Sequence, residues 1–218
     1  MKNRRTARWL AAAALVLSCL FWTPGSISAQ ALSRDREADA TLEFKRLRSL
    51  QATLEKIPLE KQEKEPHKSF LRKNDKLIVY SEPAGQWYVR SELFWDLHSK
   101  YRTLPIAEEI AWAGAQNPLP GECEGYVNCY VFILTETSGR YLRLYPNGKY
   151  STQAVREIIE RIEPLAAEDT QYDLPAEISD RSELRKLISE LQEDLAVVTH
   201  PEKEKALALL KKLAEAIK

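Results

Sequence analysis

Tyr126–Tyr145 reads YVNCYVFILTETSGRYLRLY, and whether it forms a helix or a hairpin decides the fold of the central region. Val127, Tyr130, Val131, Phe132 and Ile133 suit a strand, and Thr137-Ser138-Gly139 has hairpin-turn chemistry. The same stretch also allows a long helix carrying Tyr130, Ile133, Leu134, Thr137, Tyr141, Leu144 and Tyr145 on one side. Gly139 would cost that helix about 1 kcal/mol. Local propensity leaves both readings open.

On its N-terminal side lies Gly121-Glu122-Cys123-Glu124-Gly125-Tyr126-Val127-Asn128-Cys129. Cys123 and Cys129 are expected to form a structural disulfide, with Gly121 and Gly125 bending the backbone between them. A redox pair normally has two intervening residues, and this one has five. A zinc site would need two more ligands, and His67, His98 and His200 all lie far along the chain. Upstream, Thr103 to Asn117 reads as a helix with Pro105 in its first turn, Ile106, Ile110 and Ala113 inward, and Pro118 as its stop. Ser91–Tyr101 is a helix with Phe94, Leu97 and Tyr101 on one face. Residues 76–90 (KLIVYSEPAGQWYVR) read as a small β hairpin around Pro83-Ala84-Gly85. Residues 58–69 are expected to be a charged linker. Residues 32–57 should form an amphipathic helix through Leu42, Leu47, Leu50, Leu54 and Ile57.

On the C-terminal side, Tyr141-Leu142-Arg143-Leu144-Tyr145-Pro146-Asn147-Gly148-Lys149-Tyr150, with Ala154 and Ile158 beyond, resembles a tetratricopeptide-like helical hairpin. It is similar to repeats of bacterial envelope proteins of the outer-membrane assembly type, and more loosely to secreted bacterial proteins. The resemblance implies that one helix stops at Pro146, that Asn147-Gly148 reverses the chain, and that small Ala154 lets a second helix approach closely. There is no second clean copy of a 34-residue period, so a repeat array is not implied. Residues 165–178 read as a second linker. Residues 179–218 read as a C-terminal helical hairpin, with a capping box at Ser179-Asp180-Arg181-Ser182-Glu183 and His200-Pro201 at the turn.

The chain's first residues are an export signal. Arg4, Arg5 and Arg8 precede the apolar run Trp9–Trp22, and Ser26-Ile27-Ser28-Ala29-Gln30-Ala31 offers cleavage after Ala29 or Ala31. Lipid attachment at Cys19 is disfavoured, because bulky Leu17 stands where a small residue is usual. The mature protein is therefore expected to be periplasmic or secreted, with no membrane span. Loss of Lys2, Arg4, Arg5 and Arg8 from 32 basic and 32 acidic residues leaves a net charge near −4. That balance disfavours broad nucleic-acid binding.

The sequence has no G-x-S-x-G, Walker loop, H-E-x-x-H or calcium loop. No catalytic residue, metal or cofactor is expected. The best single candidate for chemistry is His98, near Asp96, Glu108 and Glu109, and it underlies an alternative reading as a hydrolase of cell-wall or secreted substrates. Trp87, Tyr88, Phe94, Trp95, Tyr101 and Trp112 cluster in sequence. Phe94 and Trp95 are adjacent and should not both point inward, so Trp95 is expected to be exposed as a partner contact, with Trp87 and Tyr88 beside it. The expected fold is mostly α, with helical hairpins (tetratricopeptide-like) and one small β hairpin. The expected role is protein binding or scaffolding in the bacterial envelope.

Overall fold

The computed structural model describes residues 25–217, with side chains from residue 32. The basic start and apolar run expected to be an export signal lie outside the described residues. In chain order the elements are α1 (Gly25–Leu54), a 3-10 turn (Leu59–Lys61), α2 (His67–Lys73), β1 (Ile78–Ser81) and β2 (Gln86–Val89). Then come α3 (Ser91–Tyr101), α4 (Ala107–Gln116), α5 (Val127–Leu134), a π turn (Thr135–Gly139) and α6 (Arg140–Leu144). The chain ends in α7 (Ser151–Leu165), α8 (Ile178–Ala196) and α9 (Lys203–Ala216). The described residues are mostly α, with one antiparallel two-stranded sheet among them. Residues 25–35 of α1 belong to one compact unit, and the cores and the groove belong to the other, from Arg36 onward.

The stretch is helical from Val127 to Leu144, between Tyr126, which bridges to Asp173, and Tyr145, which leaves the helix. Val127, Val131, Leu134, Ser138, Tyr141 and Leu142 are buried, a helical spacing that no strand satisfies. Of the stripe expected from sequence, Leu134, Thr137 and Tyr141 are buried, Tyr130, Ile133 and Tyr145 are half-buried, and Leu144 is 44 % exposed. Thr135 and Thr137 satisfy their buried hydroxyls on the carbonyls of Val131 (2.9 Å) and Ile133 (2.6 Å), in and beside the π turn.

The described residues form two hydrophobic cores. One joins Ala40, Leu54 and Ile57 to Leu71, the hairpin residues Ile78 and Val89, and Phe94, Leu97 and Ile110. The other joins Trp95, Trp112, Val131, Leu134, Tyr141 and Ile158 to Leu184, Leu191, Leu210 and Leu213. The C-terminal hairpin thus shares one core with α5–α7 rather than standing apart from residue 179 onward. On α1 the inward residues are Ala40, Phe44, Leu47, Gln51 and Leu54, whereas Leu42 is half exposed.

The two linkers are ordered against the body. Within 58–69, Gln62 is buried, donates to the Gly85 carbonyl (3.2 Å) and accepts from Trp87 Nε1 (3.0 Å). Within 165–178, Asp173 donates its N–H to Gly125 O (2.9 Å) and its carbonyl accepts from Val127 N (3.1 Å). No capping box forms at Ser179, because α8 begins one residue earlier and Ser179 turns its hydroxyl to Asp180 (3.1 Å). No described helix is long and apolar enough to cross a membrane.

Candidate functional site

Trp95 and Phe94 are both buried, at 3 % and 0 % exposure, which corrects the expectation that Trp95 meets a partner. The reason is that α3 lies between the two cores: Phe94 enters one and Trp95 the other. A helix buried on two sides has no rule against adjacent inward residues. The Arg140 guanidinium lies 4.2 Å above the Trp95 ring. Gly114 allows the approach of α4, since a Cβ there would sit 3.0 Å from Trp95 Cε2.

His98 is buried too, and its Nε2 lies 2.9 Å from the Tyr145 hydroxyl. No described hydrogen bond joins it to a carboxylate. Glu108 instead accepts from Tyr141 OH (2.7 Å) and from the Lys149 main chain, and Glu109 pairs with Lys149 Nζ (2.8 Å). These bonds hold the Pro146–Gly148 turn of a helical hairpin, whose α7 residues Ala154 and Ile158 are fully buried. Gly148 is required there because a Cβ would strike Glu108 Oε1 and the Tyr141 hydroxyl. Burial pushes the Tyr141 phenol upward, and Glu108 adds to the shift. Trp112 stacks on Tyr150 with ring centroids 5.0 Å apart, so this aromatic assembly is a packed brace around the turn.

Burial holds the His98 imidazole below its usual pKa, and Arg140 and Arg102 push it the same way. The folded state therefore binds this proton less readily than the unfolded chain. Stability contributed by neutral His98 should be complete above about pH 6.5 and should be lost as pH falls below it. Urea midpoints between pH 5 and 8 should show this fall, and His98→Gln should flatten it. Parallel profiles for the two proteins would contradict the assignment.

Cys123 and Cys129 are disulfide-bonded, with Cα atoms 5.2 Å apart. Gly121 (φ 101°) and Gly125 (φ 90°) both occupy the left-handed side of backbone space, as the bend requires. The disulfide fastens the loop after α4 to the first turn of α5.

That loop is one wall of a groove of about 560 Å³. The hairpin contributes Ser81, Pro83, Ala84 and Tyr88, and the loop contributes Pro118, Leu119, Gly121 and Glu122. Tyr130, Ile133 and Ser138 come from α5 and the π turn, and Glu157, Glu160 and Arg161 from α7. Glu157 accepts from Gln116 Nε2 (3.0 and 3.1 Å), Ser138 Oγ (2.8 Å) and Gln153 Nε2 (3.2 Å). Its oxygens are thus fixed by amide and hydroxyl donors. Of the residues expected to form the disulfide or a partner contact, Tyr88 and Cys123 reach this groove. Trp87 is on the opposite face of its strand, against Tyr80 with ring centroids 5.1 Å apart. Sequence reading missed Gln116, Ser138 and Glu157; Glu157 is one of several glutamates along α7, and no spacing marks it. Among the described residues no cluster of His, Cys, Asp and Glu is arranged to hold a metal.

Comparison of the chain with protein-family models, with characterised proteins and with solved structures finds no match. The tetratricopeptide-like resemblance rests on the residues of the 141–158 hairpin alone.

Proposed function

We propose that this protein is an exported binding module of the bacterial envelope, acting without catalysis, and that its ligand lies in the groove between the hairpin and α7. The observation that carries this reading is the groove's construction. Its walls come from separate parts of the chain, and the Cys123–Cys129 disulfide secures one of them. Tyr88 and Tyr130 offer apolar surface with polar tips, and polar side chains surround them, a pattern suited to ligand recognition. Export is supported by the N-terminal sequence pattern and by the disulfide. The hydrolase alternative leaned on His98, which lies outside the groove and is bonded to a tyrosine rather than a carboxylate.

Tyr88→Ala is the direct test. Tyr88 is half-buried on the outer face of the hairpin, so its loss should leave the melting temperature nearly unchanged. Recovery of the native ligand on affinity-purified protein should fall at least about tenfold, the scale of losing one aromatic contact. Undiminished recovery, with the fold intact, would overturn the assignment.

A further inference from the structure

The hairpin has an edge that bears on what the groove holds. In an antiparallel pair, alternate residues turn their N–H and C=O outward. Arg90 N bonds inward to Leu77 O (2.9 Å), so Val89 and Trp87 turn outward along β2. At Val89 that edge is closed by two buried side chains. Gln51 Oε1 accepts from Val89 N (2.8 Å), and Asn117 Nδ2 donates to Val89 O (2.7 Å). Together they imitate a short third strand. At Trp87, two residues on, no hydrogen bond among the described residues reaches either main-chain group. Tyr88, next to Trp87, and Pro118 and Leu119, next to Asn117, line the groove, so it lies alongside this edge, although Trp87 itself is not one of its lining residues.

Charge gives a second, independent constraint. Glu122, Glu157 and Glu160 line the groove against a single Arg161. None of these four forms an ion pair among the described residues. Glu122, Glu160 and Arg161 are exposed and Glu157 is half-buried, so the balance of charge favours a cationic ligand over an acidic one.

We infer that the groove takes an extended, basic peptide segment, which adds to the outer edge of β2 at Trp87 and continues the strand that Gln51 and Asn117 begin. Main-chain pairing supplies affinity, and the carboxylates select lysine or arginine side chains. This inference rests on the groove-binding reading and adds the ligand's chemistry to it.

The test titrates the folded protein with fluorescent heptapeptide pools of alternating Val/Thr and Lys/Arg. A matched Asp/Glu pool, the basic pool N-methylated at alternate residues, and an oligosaccharide of β-linked N-acetylglucosamine are the comparisons. The basic pool should bind at least about tenfold tighter than the acidic or N-methylated pools. Its binding should slow amide exchange at Trp87 and leave Tyr80, on the opposite edge, unchanged. The double variant Glu122→Gln, Glu160→Gln changes two exposed side chains and should lose most of the preference for basic peptides. Equal binding of acidic and basic pools, indifference to N-methylation, or no slowing at Trp87 would overturn the inference. Oligosaccharide binding in place of peptide would also overturn it and leave the groove reading standing. Loss of native-ligand recovery failing to occur in Tyr88→Ala would remove the groove reading itself.

Discussion

A chain ended at Glu177 is expected to lose cooperative folding altogether. The missing helices α8 and α9, with Ile217 just after them, supply Leu184, Leu187, Ile188, Leu191, Leu195, Leu210, Leu213 and Ile217 to the same core as Val131, Leu134 and Ile158. Full burial of each such side chain contributes about 1.5–3 kcal/mol. Their sum equals or exceeds the roughly 5–15 kcal/mol by which a whole domain is stable. The truncation also removes Asp194, which is 6 % exposed and receives two hydrogen bonds from Arg143, each 2.9 Å long. Near-ultraviolet circular dichroism and a thermal melt read the outcome. The shortened chain should show no fixed aromatic signal and no sharp transition. A sharp transition with the parent aromatic spectrum would mean that residues 179–218 are a separable hairpin after all.

Gly139→Ala should destabilise the protein by about 1–3 kcal/mol, the usual cost of overpacking a filled core. Helix propensity alone predicts the opposite sign, a gain of about 1 kcal/mol. Packing decides. A Cβ at this position would lie 2.7 Å from Leu191 Cδ2, 3.1 Å from the Leu134 carbonyl oxygen and 3.3 Å from Asp194 Oδ2. Leu191 is fully buried, so it can shift only against the packed core around it, and the Leu134 oxygen belongs to the backbone. Leu191→Ala by itself should cost about 2–5 kcal/mol through the cavity it leaves. In that background Gly139→Ala should become nearly neutral, a coupling that a double-mutant cycle by urea unfolding measures. Additive costs, or a stabilising Gly139→Ala, would show that α8 does not cross the π turn this closely.

These two sites also mark where sequence reading stops. Helix and hairpin were equally allowed over 126–145 because Gly139 looks like a turn residue when its neighbour α8, some fifty positions on, is not in view. Its role is to admit Leu191, a contact that no local window contains. A one-faced helix rule places Trp95 outward, and it fails because α3 serves two cores. Gln51 interrupts an otherwise apolar face of α1 and reads as a surface residue, yet it is 4 % exposed and completes the edge of β2. In contrast, elements set by nearby residues were legible: the 76–90 hairpin, the cysteine pair with its two glycines, the stop after Asn117, and the turn at Pro146–Gly148 with Ala154 inward. The groove fell between these categories. Tyr88 was visible as an aromatic, but Gln116, Ser138 and Glu157 become neighbours only when α4, the π turn and α7 meet.

Site-specific photocrosslinking in the producing cell tests whether the groove between the hairpin and α7 is, as proposed, where this protein meets its ligand. A photoreactive residue replaces Tyr88 in one protein and Lys211, an exposed position on α9, in another. One discrete adduct is expected from position 88 and none like it from position 211, and its mass spectrum should identify a peptide segment rich in lysine or arginine. The same adducts from both positions, or none from position 88 with the protein folded and exported, would contradict the proposal.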